Sequence, residues 1–285
     1  MSQARYEGVD PVTEAALSAT VADIEQQTVC PLRFHDDMDS LRQVMAAQLF
    51  DDIGECLARK GQATLIVPVG PVGQYELLAE RCRNEGISLA NVTLIVMDEY
   101  LTADNRWIPD TDPLSFRGHI ERNLTLKLPA GTQPEIVVPD PLAPHRVGDV
   151  IARRGLDYTY AGVGITGHLA FNDPVPGRDD PDWFSGLPTR VVALSAETRL
   201  INSVTAAKGN TLLVPLSAVT VGMREILAAD RIRIWMNRSW QCAAVRRILF
   251  GPVTGAFPAS LVRRHPDWTL DITRDVTQMP EPALR

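Results

Sequence analysis

The chain has 285 residues, of which 45% are hydrophobic and 22% are charged, and its formal net charge is −7. This length and composition are typical of a globular protein with a substantial core, in one large domain or two small ones. The acidic net charge disfavours nucleic-acid binding. The sequence contains no run of about 18 apolar residues, so a membrane-spanning helix is not predicted.

The N-terminus and the cysteines indicate a reducing compartment. The first residues have neither the basic flank nor the apolar core of a secretory signal, so we expect a cytoplasmic protein. The four cysteines are scattered without a CxxC pair: Cys30, Cys56, Cys82 and Cys242. This spacing predicts reduced thiols and neither a disulfide framework nor a zinc site.

The first 36 residues are predicted to form an extension. They contain a predicted helix over Val12 to Gln27 and a short apolar segment over Pro31 to Phe34. A long helix is then predicted from about Met38 to Arg59, because its apolar residues recur at helical spacing. Lys60-Gly61-Gln62 is a suitable stop signal.

Short apolar runs then alternate with helical stretches. The predicted strands are Ala63–Val69, Asn91–Met97, Glu135–Val138, Leu156–Tyr160, Arg190–Leu194, Thr211–Val214 and Arg231–Met236. The predicted helices are Gln74–Asn84, Leu142–Arg154, Ala196–Ser203, Met223–Ala229 and Ser239–Leu249. This alternation predicts a single Rossmann-like α/β domain, with a mostly parallel sheet and helices on both faces.

Three unusual segments follow predicted strands. They are Gly70-Pro71-Val72-Gly73, Asp98-Glu99-Tyr100 and the glycine-rich stretch Gly162 to Pro174. Open parallel sheets bind their ligands at the carboxyl ends of the strands, so these segments predict one shared cleft.

Asp98 and Glu99 are the first catalytic candidates. A carboxylate at a strand end is partly desolvated, which raises its pKa and suits it to general-base catalysis. The alternative is a helix N-cap or a surface turn, and the sequence leaves both interpretations open.

His168 is the second candidate, since histidine is suited to proton transfer near neutral pH and Asp173 could orient its ring. The glycines around it permit tight turns and close approach to a ligand: Gly162, Gly164 and Gly167. The alternative is a buried structural histidine. His119 is predicted to lie on a helix surface, and the remaining histidines are predicted to be structural or solvated: His35, His145 and His265.

Neither glycine-rich segment predicts a nucleotide. Gly70–Gly73 lacks the Lys and Ser/Thr of a P-loop, and the GxGxxG pattern of Gly162–Gly167 lacks an acidic ribose-binding residue downstream.

Met97–Tyr100, Gly162–Pro174 and Ser195–Arg199 resemble, in order and spacing, the patterns MDEY, GVGxDGHIAFNEP and THDTR. These patterns belong to the glucosamine-6-phosphate deaminase/isomerase family, and the resemblance runs from about residue 37 to 275. The related 6-phosphogluconolactonases carry DER and GHTASLFP at the corresponding places. We therefore predict an extension over residues 1–36 and a family-like domain over residues 37–285.

The resemblance implies an enzyme that opens a pyranose ring and moves a proton between C2 and C1, with loss of ammonia from an amino sugar. It implies no metal and no redox cofactor. By matching position, Asp98 would shuttle the proton, His168 would open the ring and Asp173 would orient His168. Arg199 would bind a sugar phosphate. Glu99 is kept among the catalytic candidates.

The sequence departs from the family at the substrate end. Thr166 stands where the family has an acid, the phosphate loop TGGTP is shortened to Val69–Gly73, and Trp240 occupies the position of a phosphate-binding lysine. Arg238 is a candidate replacement cation. The predicted substrate-binding residues are Gly70, Val72, Gly73, Gly164, Thr166, Gly167, Asn172, Arg199, Arg238 and Trp240.

We therefore expect an isomerase or deaminase acting on an amino sugar or aldose, either a sugar phosphate or a sugar with an altered C6 group. One alternative is a 6-phosphogluconolactonase-like hydrolase with His168 as base, against which Asp98-Glu99-Tyr100 and Phe171-Asn172 argue. The other is a non-catalytic sugar-phosphate sensor, as the lost phosphate donors would suggest. A homo-oligomer is left open, with the extension as a candidate interface.

Overall fold

A computed structural model describes residues 8–281 and contains a seven-stranded sheet in the order β1-β10-β9-β6-β2-β3-β5. All neighbouring strands in this sheet run parallel. Its strands are β1 Leu32–His35, β2 Ala63–Val67, β3 Val92–Val96, β5 Glu135–Val137, β6 Tyr158–Gly162, β9 Arg231–Met236 and β10 Trp268–Thr273.

Helices cover both faces of this sheet. The α-helices of the described residues are α1 Pro11–Leu17, α2 Val21–Gln26, α3 Met38–Lys60, α4 Gln74–Glu85, α5 Phe116–Asn123, α6 Arg146–Arg154, α7 Pro181–Ser185, α8 Ala196–Ala206, α9 Met223–Ile226 and α10 Cys242–Phe250. No helix within residues 8–281 has both the length and the apolar character needed to span a bilayer.

Every side chain of β2 and β3 is buried, because alternate residues enter two different cores. Ile66 and Ile95 pack in one core, while Leu65 and Leu94 pack in the core on the opposite face. This arrangement explains the continuous apolar runs in the sequence and confirms the predicted α/β fold.

A second, antiparallel sheet was not predicted. It has the order β4-β8-β7 and consists of β4 Asp98–Leu101, β7 Arg190–Ala193 and β8 Ser217–Thr220. The prediction of Arg190–Leu194 as a strand of the parallel sheet was therefore wrong. Thr211–Val214 was wrongly predicted as a strand, since these residues form turns.

The main sheet also differs from the prediction at β10, which lies between β1 and β9 and was not predicted as a strand. Asp271 interrupts its apolar pattern, but this carboxylate is fully buried against Arg33 and His35 of β1. The charges are paired across neighbouring strands, which sequence periodicity alone does not reveal.

The single helix predicted over Val12 to Gln27 is wrong. Two short helices, α1 and α2, replace it, because the hydroxyl of Thr20 and the carboxylate of Asp23 form a capping box that begins α2. Ile24 of α2 packs in the main core. Residues 8–35 thus pack on the sheet or, as β1, form part of it, and the boundary of a separate extension stays a prediction.

Candidate functional site

The three strand-end segments meet in one cleft of about 350 Å³ at the carboxyl ends of β2, β3, β6 and β9. The predicted site residues that line it are Gly70, Val72, Asp98, Gly164, His168, Arg238 and Trp240. This is the edge where an open parallel sheet binds its ligand.

Asp98 lies at the junction between β3 and β4, with only 9% of its surface exposed. Within residues 8–281 no group donates a hydrogen bond to its carboxylate, and the side chain borders the cleft. Burial, aided by the charge of Glu99, raises the pKa of Asp98 well above its ordinary value. A carboxylate with a raised pKa is a stronger base once it is ionised.

Glu99 does not line the cleft, and its predicted catalytic role is corrected to a structural one. Its carboxylate accepts hydrogen bonds from the Ser115 hydroxyl (2.9 Å) and from the backbone N–H groups of Phe116 (3.2 Å) and Arg117 (3.0 Å). It therefore binds the first turn of α5, where a negative charge is favoured. Phe116 and His119 of α5 line the cleft, so Glu99 positions one of its walls.

We expect Glu99→Gln to lower the free energy of unfolding by about 2 kcal/mol, because one acceptor oxygen becomes a donor that faces N–H groups. Chemical denaturation measures this change. Glu121→Gln, at an exposed position of the same helix, is the matched control and should stay within about 0.5 kcal/mol of wild type. Equal stability of the two variants would contradict the capping role.

His168 and Asp173 form a hydrogen-bonded pair, with 2.8 Å between Nδ1 of His168 and Oδ1 of Asp173. The hydroxyls of Thr166 and Thr198 each donate to the same Oδ1 at 2.7 Å. His168 is 7% exposed, and the hydrogen bonds that its ring makes within residues 8–281 all involve Nδ1. The pair thus fixes the ring through Nδ1 and leaves Nε2 for a ligand.

Asp173 is held as a carboxylate. Burial alone would raise its pKa, but the hydrogen bond and charge of His168, with the hydroxyls of Thr166 and Thr198, outweigh burial and place the pKa of Asp173 far below its ordinary value. Thr166, which replaces an acid of the family pattern, therefore supplies a neutral donor to the carboxylate. The ionised Asp173 holds the His168 ring through Nδ1.

Thr198 is a positioning residue that sequence reasoning missed, although it lies in the quoted segment Ser195–Arg199. We expect Thr198→Val to lower kcat about tenfold, because a hydrogen bond to a charged group is lost. Thr198→Ser, which keeps the hydroxyl, should stay within about threefold of wild type. A similar loss in both variants would point to packing of the Thr198 methyl group instead.

Two glycines are required by the packing around His168. A Cβ at position 164 would lie 1.8 Å from Nε2 of His168, and one at position 167 would lie 2.2 Å from the Phe257 ring. Gly167 also adopts a φ of +80°. Gly164 therefore leaves room for the imidazole and itself borders the cleft, while Gly167 leaves room for the Phe257 ring.

Asn172 is a structural residue and does not line the cleft. Its amide donates to the carbonyls of Leu169 (2.9 Å) and Val221 (2.8 Å), and its Oδ1 accepts from Arg190 (2.7 Å). All its polar atoms are thus used to hold the His168 loop on the antiparallel sheet. The predicted contact of Asn172 with substrate is corrected accordingly.

The predicted phosphate-binding residues are only partly brought together. Arg238 and Trp240 border the cleft, whereas Arg199 and Gly73 do not. Gln241, which was not predicted, accepts hydrogen bonds from the backbone N–H groups of Asn237 and Arg238 (both 2.8 Å). Its amide donates to the carbonyl of Val163 at 2.7 Å, which ties this loop to the His168 segment.

His119 was predicted to lie on a helix surface, and this prediction was wrong. It is half-buried and borders the cleft together with Leu114 and Phe116. A larger cavity of about 650 Å³ lies between α5, β5 and α6, but none of the predicted site residues lines it. The smaller cleft carries the candidate chemistry.

Comparison with known proteins identifies relatives of this chain by sequence. A glucosamine-6-phosphate deaminase of Bacillus velezensis is 32% identical over 231 residues, which cover 76% of this chain and 88% of that protein. The chain belongs to the glucosamine-6-phosphate deaminase family. No family model matches the sequence.

One solved structure agrees with membership of the glucosamine-6-phosphate deaminase family, and a second shares the fold. A structure described as a monomeric glucosamine-6-phosphate deaminase has a TM-score of 0.72 and 25% identity, covering 87% of this chain and 99% of that one. A 6-phosphogluconolactonase of Shewanella baltica shares the fold, with a TM-score of 0.61 and 15% identity over 86% of this chain and 97% of its own. This family member is an enzyme of the sugar isomerase/deaminase kind.

Proposed function

We propose that the protein opens the ring of an amino sugar or aldose and transfers a proton between C2 and C1, releasing ammonia when C2 carries an amino group. The observation that carries this proposal is the placement of Asp98 and His168 on one cleft, with the ring hydrogen bonds of His168 within residues 8–281 confined to Nδ1.

His168 is assigned the ring opening. Asp173 accepts the Nδ1–H, so the protonated form of His168 presents Nε2–H to the ring oxygen of the sugar. Proton transfer to that oxygen breaks its bond to C1, while the hydroxyl on C1 releases its proton to water. The open-chain aldehyde results. Asp173 keeps the ring oriented before and after the transfer.

Asp98 is assigned the proton shuttle. Its ionised carboxylate takes the proton from C2 of an open-chain amino sugar, while the ammonium group on C2 passes a proton to the C1 oxygen, which leaves an enolamine. Asp98 then returns its proton to C1. The resulting imine at C2 is hydrolysed by water to a ketose and ammonia. The raised pKa of Asp98 suits both removal and return of the proton.

The part of the cleft formed by Arg238 and the shortened loop supports a substrate whose C6 group differs from that of the family's sugar phosphate. Arg238 is the one permanent cation among the described residues that line the cleft, and Pro71 in the shortened loop has no N–H to offer an anion. We therefore propose either a sugar phosphate held by few charged groups or a sugar without the phosphate. A cytoplasmic location and a domain spanning residues 37–285 are part of this proposal.

A panel of glucosamine 6-phosphate, glucosamine and glucose tests the proposal through ketose and ammonia formation. We expect turnover of at least one amino sugar, and a KM for glucosamine 6-phosphate well above the micromolar range. Micromolar KM and full turnover with glucosamine 6-phosphate would contradict the changed C6 site. Hydrolysis of 6-phosphogluconolactone without turnover of any sugar would contradict the isomerase/deaminase assignment and favour the lactonase.

A further inference from the structure

We propose that His119 binds the oxygen at the C6 end of the sugar by donating its Nε2–H, an assignment that rests on the proposed function. His119 borders the same cleft as Asp98 and His168, but it was assigned to a helix surface from the sequence. Its place in the cleft, its tautomer and its unpaired nitrogen carry the assignment.

The position of His119 is on the side of the cleft formed by the shortened loop. Its ring lies edge-on to Tyr75, with 6.3 Å between the ring centroids. Tyr75 is in the first turn of α4, directly after Val69–Gly73, and its hydroxyl donates to the carbonyl of Pro68. This loop occupies the position of the family's phosphate loop, so His119 faces the end of the sugar that carries C6.

The tautomer of His119 follows from Asn123, one helical turn further along α5. The Asn123 amide nitrogen donates to the carbonyl of His119 at 3.0 Å, which fixes the amide orientation. The same nitrogen lies 3.1 Å from Nδ1 of His119, which must therefore act as acceptor. The neutral ring consequently carries its proton on Nε2.

Nε2 of His119 is buried and has no hydrogen-bond partner among the described residues. Burial and the charge of Arg122 lower the pKa of His119, against the opposing charge of Glu76, so the neutral form prevails near pH 7. A buried donor without a partner costs free energy, and a sugar oxygen in the cleft would satisfy it. A neutral N–H can donate a hydrogen bond to a hydroxyl oxygen and also to a phosphate ester oxygen.

The test compares His119→Leu with His119→Gln, which retains a donor at a similar reach. Both are assayed on 6-deoxyglucosamine and on whichever of glucosamine and glucosamine 6-phosphate the wild type turns over. Glucosamine carries a hydroxyl on C6 and glucosamine 6-phosphate carries a phosphate, so the comparison of these two sugars shows which group His119 binds. His145→Leu, an exposed histidine at the start of α6, is the matched control.

We expect His119→Leu to raise KM for the 6-oxygenated sugar about tenfold with little change in kcat, and His119→Gln to stay within about threefold. The 6-deoxy sugar, which lacks the oxygen, should lose little in either variant. Equal losses on both sugars, or no loss on either, would overturn the assignment. Absence of wild-type turnover on all three sugars would instead contradict the proposed function, and the assignment with it.

Discussion

Asp98→Asn is expected to lower kcat by about a thousandfold, because an amide cannot accept the C2 proton that general-base catalysis requires. The substitution preserves the shape of the side chain at the junction of β3 and β4. Steady-state kinetics with the best amino sugar measures the change. Asp104→Asn, at an exposed position in the loop after β4, is the matched control and should retain wild-type kcat.

The stability of Asp98→Asn distinguishes a lost base from a lost fold. Because the folded-state pKa of Asp98 is raised, its ionised form opposes folding, and this cost is absent at low pH and grows as the pH passes the unfolded pKa. Removal of the charge should therefore leave the Tm at pH 7 equal to or above that of wild type. Retention of more than about a tenth of the wild-type kcat would contradict the assignment of Asp98.

The same carboxylate sets an expectation for the pH dependence of wild type. Asp98 acts as a base only when it is ionised, and burial raises its pKa well above its ordinary value. The acid limb of kcat should therefore lie at higher pH than the ordinary aspartate value of about 4. A rate that stays constant down to that pH would contradict a buried aspartate base.

His168→Gln is expected to lower kcat by about 10²- to 10⁴-fold, because no protonated donor then faces the ring oxygen. Its diagnostic readout is the interconversion of sugar anomers, which requires ring opening but no C2 proton transfer. Wild type and Asp98→Asn should both accelerate this interconversion, whereas His168→Gln should not.

His265→Gln is the control for His168→Gln, since His265 hydrogen-bonds the backbone carbonyl of Ala229 outside the cleft. If His168→Gln interconverts the anomers as fast as wild type, ring opening by His168 is contradicted. Loss of that acceleration in Asp98→Asn would show that the two residues do not act in separate steps.

The local sequence predicted the parts of the site that depend on strand ends. Continuous apolar runs located β2, β3 and β6, and the polar residues after them met in one cleft because parallel strands end at the same edge. The glycines at positions 164 and 167 were likewise recognisable, since only a missing Cβ admits the His168 ring and the Phe257 contact. These features are encoded within a few residues.

The missed features depend on contacts between distant parts of the chain. Glu99 binds a helix that begins seventeen residues later at Phe116, which no local pattern reveals. Thr198 reaches Asp173 from α8, 25 residues away in sequence. The position of His119 in the cleft likewise depends on how α5 packs beside α4. The contacts of these three side chains can be assigned only from the three-dimensional arrangement of the helices and strands.

The most direct test of the account is the exchange of C2–H in D₂O, followed by proton NMR with glucosamine 6-phosphate and with glucosamine. We predict that wild type removes the C2–H signal of at least one of these sugars, and that Asp98→Asn leaves the same signal intact. Full retention of the C2–H signal in both sugars by the wild-type enzyme would contradict proton transfer at this site.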